Sequence, residues 1–360
     1  MKPIIRFRQY NKEWRPFKLN TILVPSNEKN TKGLYSKNDV LSVSGEAGIV
    51  NQIAFQGRSF AGASVLNYGV VNTNDIVYTK SPLRNNPYGI IKTNNGPSGI
   101  VSTLYAIYNC CEESCPQFVD TYFTSSSRTN NYLRPLVRKG AKNDMKVSSE
   151  GALQGNVIFP YKDEQIEIAS YFRTLDAKLQ ASAKKVESLK KLKSASLVAM
   201  FPQNGESTPK VRFKGFEGEW KKVKLGNVCS VNRGTRITKK ELNTNQSYPV
   251  YQNTNYPLGY YKNYNVEANN PYVIIGGSAG LIGFSNVPFW AADDCAYFGD
   301  NDSLDKAFLY STLLSHIAEI KKNVRGSSVP RLDRSTLIDL EINLPSFSEQ
   351  QAIATFFRSL

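Results

Sequence analysis

The chain repeats itself, so any fold it adopts must hold the same frame twice. Residues 160–175 read PYKDEQIEIASYFRTL and residues 345–360 read PSFSEQQAIATFFRSL. Pro160, Glu164, Gln165, Ile168, Ala169, Phe172, Arg173 and Leu175 recur as Pro345, Glu349, Gln350, Ile353, Ala354, Phe357, Arg358 and Leu360, at an offset of 185 residues. Upstream, FRQYNKEWRPFKL at 7–19 is echoed by FKGFEGEWKKVKL at 213–225. Here Phe7, Glu13, Trp14, Lys18 and Leu19 return at an offset of 206. The unequal offsets mean that one half has gained or lost residues between the landmarks. The stretches 34–150 and 240–335 align poorly, so a common frame carries two unlike inserts. A length of 360 residues exceeds the usual size of a single core, and two domains are expected.

The repeated motif opens a helix. From Asp163 to Met200 there is neither Gly nor Pro. Apolar residues fall at Ile168, Phe172, Leu175, Leu179, Val186 and Leu189, spaced alternately by four and three, with Ser182 interrupting the series and Lys193 ending it. That spacing predicts a coiled-coil seam over nearly four heptads, on a rod about 57 Å long at about 1.5 Å per residue. Asp163 is the expected N-cap with Glu164 in the first turn, and Pro202 stops the helix. Lys184, Lys185, Lys190, Lys191 and Lys193 are read as a solvated basic face. The second copy places Ile353 and Phe357 at equivalent packing positions, and Ser348 with Gln351 has capping-box spacing. This second rod is expected to be cut short at Leu360. The runs 74–80, 99–109, 154–161, 248–253, 271–277 and 340–345 read as strands, and 304–323 as a helix. The expected fold is α+β: two mainly β domains with helices, at 1–155 and 204–345, joined by a coiled-coil-type helix at 156–203, with 346–360 starting a second one.

Charge indicates the partner. Lys and Arg number 45 against 30 Asp and Glu, which favours a polyanion and, for a basic globular chain, nucleic acid. Residues 128–146 concentrate six of these cations against Asp144. No run approaches a membrane span, the N-terminus lacks a signal-peptide core, and a cytoplasmic location is expected. The five cysteines, Cys110, Cys111, Cys115, Cys229 and Cys295, are read as reduced thiols. The single histidine, His316, leaves no pair for metal or acid–base chemistry, and no phosphate-cradling loop is found. Asn-Asn-Pro-Tyr at 85–88 and 269–272 resembles the Asn-Pro-Pro-Tyr signature of adenine methyltransferases but lacks its first proline, and both copies read as turns. Gly276–Gly280, Asp293-Asp294 and Asp300/Asp302 read as loops. No catalytic residue, metal or cofactor is expected on this chain. Loops instead carry the side chains that fit base edges and phosphates. The candidates for DNA contact are Lys80, Arg84, Arg128, Asn130, Asn131, Tyr132 and Arg134 in the first half. In the second half they are Arg233, Arg236, Tyr251, Asn253, Tyr256, Arg325 and Arg331.

Two β-rich unlike halves, each closed by a strand, a proline and the E-Q-x-x-I-A-x-F/Y-F-R-x-L helix start, resemble the specificity subunit of type I restriction–modification systems. The Trp14 and Trp220 landmarks belong to the same resemblance. It implies two target recognition domains, each reading half of a bipartite asymmetric site on double-stranded DNA. The rods would pair antiparallel as a ruler that fixes the spacer and would dock the methylation subunits. A restriction (motor–nuclease) subunit would complete the complex. Chemistry would rest in those partners, which use S-adenosylmethionine, ATP and Mg2+. The short second rod departs from the family pattern and puts the docking of a second methylation subunit in question. A nucleic-acid-modifying enzyme and an assembly scaffold without DNA contact are the competing readings.

Overall fold

Each copy of the repeated frame closes on itself. The computed structural model describes residues 3–83, 85–139, 145–203, 205–243 and 245–360 and divides into two units, Met1–Ala181 and Ser182–Leu360, so the division falls inside the long helix. The first half runs β1 (Arg15–Lys18), β2 (Leu23–Pro25), β3 (Leu41–Ser44), β4 (Gly48–Asn51), α1 (Gln52–Gln56), β5 (Gly69–Val71), β6 (Ile76–Thr79), β7 (Ile91–Thr93), β8 (Gly99–Val101), β9 (Tyr105–Cys110), α2 (Pro116–Phe123), α3 (Ser126–Leu133), β10 (Arg138–Lys139), β11 (Met145–Lys146), β12 (Asn156–Phe159) and α4 (Lys162–Ala199). The second half runs β13 (Lys221–Lys224), β14 (Val231–Arg233), β15 (Tyr248–Tyr251), β16 (Gly259–Tyr261), β17 (Asn270–Ile274), β18 (Ile282–Ser285), β19 (Trp290–Ala291), β20 (Cys295–Phe298), α5 (Lys306–Ser315), α6 (Ile317–Lys322), α7 (Arg334–Ile338), β21 (Glu341–Leu344) and α8 (Phe347–Ser359). The architecture is α+β, two mainly β halves with a 38-residue helix between them in the chain.

The two units share a plan. β1 pairs antiparallel with β12, and β13 pairs the same way with β21. The central sheets have the orders β2-β9-β6-β7 and β14-β20-β17-β18, antiparallel at every step. Each central sheet is buried on both faces, because successive strand residues point opposite ways. Ile76 and Tyr78 face a core with Phe118, Phe123 and Phe159, while Val77 faces a second core with Val71, Val101 and Ile107. In the other unit Val273 meets Phe298, Phe308 and Ile342, while Tyr272 and Ile274 meet Phe289 and Cys295. The peripheral sheets differ: β3-β4 and β5-β8 are separate pairs in one unit, whereas β16-β15-β19 form a single sheet in the other.

The repeated Glu-Gln takes a forked arginine and a helix start in each unit. Glu164 is buried, and its carboxylate accepts from Arg6 Nε and Nη2, both at 2.6 Å, and from Trp14 Nε1 at 3.2 Å. Glu349 accepts from Arg212 Nε at 2.7 Å and Nη2 at 2.8 Å. Arg6 also donates to the Lys12 carbonyl, and Arg212 to the Gly218 carbonyl, each at 2.6 Å. Gln165 Oε1 accepts from Cys115 N and Ser114 Oγ at the start of α2, while its Nε2 donates to the Pro160 carbonyl, all at 2.9 Å. Gln350 Oε1 accepts from Asp305 N at the start of α5, and its Nε2 donates to the carbonyls of Ser303 and Pro345.

Several local expectations shift. α4 opens at Lys162, so Asp163 lies inside the first turn with Glu164 and is not the cap. The cap of α8 is Ser346, whose side chain accepts from Glu349 N, and Ser348 sits within the helix. The 304–323 helix breaks at His316 into α5 and α6. The second Asn-Asn-Pro-Tyr is no turn: after Asn269, at φ +57°, it enters β17. Pro271 pairs only with Phe284 there, where its missing N–H is tolerated. All five thiols are free, and burial pushes Cys110 and Cys229 up to about 11. No helix among the described residues is long and apolar enough to cross a membrane.

Of the expected seam, Phe172, Leu175, Leu179 and Val186 are exposed, and Ile168 and Leu189 are half-buried. Ile353 and Phe357 differ from their counterparts. They lie in the core of the second unit, where Phe357 meets Phe201.

Candidate nucleic-acid interface

In the first unit the chain after β6 returns as a tight turn in which Leu83 and Asn86 exchange backbone hydrogen bonds at 3.0 and 3.1 Å. Arg84 lies outside the described residues. Lys80 donates from Nζ to Ser149 Oγ at 3.3 Å, and burial pushes its pKa below the ordinary lysine value. The expected loop at 128–134 is instead α3, capped by Ser125, which accepts from Arg128 N. Asn130 Nδ2 donates to the Asn85 carbonyl at 2.9 Å, which brings the turn and the helix together. Arg128 lies over the Tyr122 ring at 4.6 Å and donates to the Tyr122 carbonyl. Arg128, Asn131 and Arg134 are exposed. Tyr132 is not. Its ring packs on Phe123 in the core and its hydroxyl donates to the Ala152 carbonyl at 2.9 Å, so it supports α3 and is not available to DNA.

The second unit gathers more of the candidates. The turn Asp293-Asp294, between β19 and β20, is the hub. Its Asp293 carbonyl accepts from Arg233 Nε at 2.6 Å, and the Asp293 carboxylate accepts from Gln252 Nε2 at 3.3 Å. The Asp294 carboxylate lies 3.6 Å from the Arg331 guanidinium. Asp294 also touches Gly276, where an added Cβ would come within 2.3 Å of the carboxylate; only glycine leaves room for that approach. Gly277 donates its N–H to the Pro330 carbonyl and Ser278 to the Asn253 carbonyl, both at 3.0 Å. Arg325 and Arg331 exchange backbone hydrogen bonds. Arg233, Asn253, Arg325 and Arg331, scattered over roughly a hundred residues, therefore converge on one locus. Arg236 lies just beyond it, exposed, on the segment whose Thr235 N–H reaches the Ala291 carbonyl. Tyr256 is exposed at the tip of the β15–β16 connection. Tyr251 is half-buried and stacks on Tyr272 at 4.4 Å, so its ring belongs mainly to the core.

The residues that organise this locus, Gln252, Asp293 and Asp294, carry no recognisable spacing in the sequence. Arg6 and Arg212 are different: they repeat at the same offset of 206 as Phe7 and Phe213, and that recurrence is the signal that identifies them. Among the described residues, no group of three or more His, Cys, Asp or Glu converges as metal ligands would.

Residues 217–360 match the Type I restriction modification DNA specificity domain family. Two proteins of Mycoplasma pneumoniae named as type I specificity subunits are 28% identical over 141 residues and 26% identical over 150 residues. These alignments cover 38% and 41% of this chain and 38% and 40% of theirs. The chain thus spans about two fifths of the length of the curated relatives it matches. Over nearly its whole length the fold is similar to a crystal structure of a type I restriction–modification S subunit from M. genitalium. The TM-score is 0.66 at 15% identity, covering 98% of this chain and 91% of that one. The second half thus matches the specificity-domain family, and the fold throughout is similar to that of a type I S subunit.

Proposed function

We propose that this chain selects the DNA sequence for a type I restriction–modification complex and performs no chemistry itself. Each unit reads one half of a bipartite asymmetric target. The central sheets, the closing strand pairs and the Glu-Gln wiring form a common scaffold, and the unlike peripheral sheets and loops supply the reading side chains. The observation that carries this reading is the pairing of one repeated frame with two different cationic surfaces: the Asn85 turn with α3 in one unit, and the Asp293-Asp294 locus in the other. Arginines with asparagines suit guanine and adenine edges in the major groove, and the net charge of +15 suits the phosphates. Methylation subunits dock along α4, and a motor–nuclease subunit joins them. S-adenosylmethionine, ATP and Mg2+ are used by those partners.

Methylome sequencing of the host with and without this gene returns the target, and binding of the full chain to that duplex is then measured over a salt series. The expected result is a bipartite motif bound with a steep loss of affinity as salt rises. A salt-independent or absent response overturns DNA recognition in favour of a scaffold, and methyl transfer by the chain alone overturns the non-catalytic role.

A further inference from the structure

Two adjacent buried polar residues open each repeated helix, and each joins it to separate parts of its own unit. Glu164 takes the forked guanidinium of Arg6, itself fixed to the Lys12 carbonyl. Gln165 reaches the other way, to the N-terminus of α2 through Cys115 N and to the end of β12 through the Pro160 carbonyl. Helical neighbours point about 100° apart, so the first turn of α4 is held from two directions. The second unit has the same arrangement at Glu349–Arg212 and at Gln350 with Asp305 N and the Pro345 carbonyl. Burying a carboxylate and an amide is costly unless every lone pair and proton is used. Simple packing of a helix start needs neither group, and apolar residues of similar size would serve it.

What the polar pair adds is direction. A bidentate arginine–carboxylate pair fixes both distance and plane, where apolar contacts leave a helix free to roll and tilt. Direction matters because α4 is long. Over its 38 residues a tilt of about 3–4° at the root moves the far end by about 3.4 Å, the rise of one base pair. We infer that Glu164-Gln165, with Arg6, and Glu349-Gln350, with Arg212, are positioning residues: they fix the direction in which each helix leaves its recognition domain and so set the length of DNA tolerated between half-sites, leaving base identity to the loops. This rests on the bipartite reading proposed above.

The test measures the full chain against duplexes carrying its two half-sites at the native spacer and at spacers one and two base pairs shorter or longer. The wild-type chain is expected to lose about tenfold in affinity per base pair of mis-spacing. Glu164→Gln and Gln165→Met are expected to bind spacers one base pair off within about threefold of the native spacer, with unchanged penalties for base substitutions inside either half-site. Arg6→Lys keeps the charge and loses the fork. It is expected to broaden the spacer profile in the same way, and it serves if a more severe variant does not fold. Hydrogen exchange gives a second readout: amides of residues 162–169 exchange faster in the variants while those of β6 and β9 keep their protection. Variants with a spacer profile as sharp as wild type overturn the inference, as does altered base preference with sharp spacing. A wild-type chain indifferent to spacer length overturns the bipartite reading and the clamp's role with it.

Discussion

Removing the Tyr132 hydroxyl leaves the buried Ala152 carbonyl without its donor. Tyr132→Phe is therefore expected to destabilise the chain by about 1 kcal/mol, read as a lower melting temperature, with DNA affinity unchanged. Arg331→Ala is expected to do the reverse. Its partner Asp294 is 3.6 Å away and the guanidinium is largely exposed, so the ion pair contributes about 0–1 kcal/mol to stability. Its loss from DNA costs about 1–3 kcal/mol of binding and relaxes preference in one half-site only; competition with single-base variants of the target checks this. Both residues stand out in the sequence as polar-loop candidates beside arginines, and composition does not separate them. Tyr132 is fixed inward by a contact 23 residues away: a Cβ on Gly155 would meet its ring at 2.4 Å. Asp294 likewise meets Gly276 and Arg331 only through tertiary folding. Side-chain chemistry was legible at these positions, but orientation was not, because distant neighbours decide it.

At the scale of elements, strong periodicity carried the most information. The gap-free run without Gly or Pro gives α4 within a residue of its bounds. The repeated Glu-Gln marks both helix starts, although the adjacent caps fall elsewhere because Ser346, not Ser348, has the extended backbone that an N-cap needs. The apolar spacing of α4 has a consequence that its burial makes concrete. Phe172, Leu175, Leu179 and Val186 stay exposed, whereas Phe357, the counterpart of Phe172, is in the core and Leu360, that of Leu175, packs against it. Identical spacing thus serves two environments, and spacing alone does not distinguish them. Charging the α4 stripe by Leu175→Glu with Leu179→Glu is expected to change the stability of the chain by about 0.5 kcal/mol or less per substitution, as at exposed positions generally. It is expected to abolish co-purification with the methylation subunits. A variant that still assembles places that dock away from the stripe.

At the scale of the whole chain, the repeat separates what must be constant from what is free to vary. The constant parts are the closing strand pairs, the four-stranded sheets of common order and the Glu-Gln wiring. Each forms inside its own unit, so each unit carries a complete frame. The variable parts, β3 to β5 with β8 in one unit and β15, β16 and β19 in the other, pack on small cores of their own, and in the first unit also on Val77 and Ile107 of the central sheet. Exchanging a whole half carries these shared contacts with it and leaves the other unit's frame intact. Exchanging residues 1–155 for the equivalent half of a type I specificity subunit, with the Arg6 and Trp14 equivalents retained against Glu164, is therefore expected to give a folded chain. That chain should have a new first half-site, the old second half-site and the old spacer. Methylome sequencing of a host carrying the chimera reads all three at once. Since the spacer is expected to follow the helix root and not the insert, a chimera that changes one half-site and the spacer together would place the ruler inside the exchanged half. One that changes both half-sites would mean that the two units do not read independently.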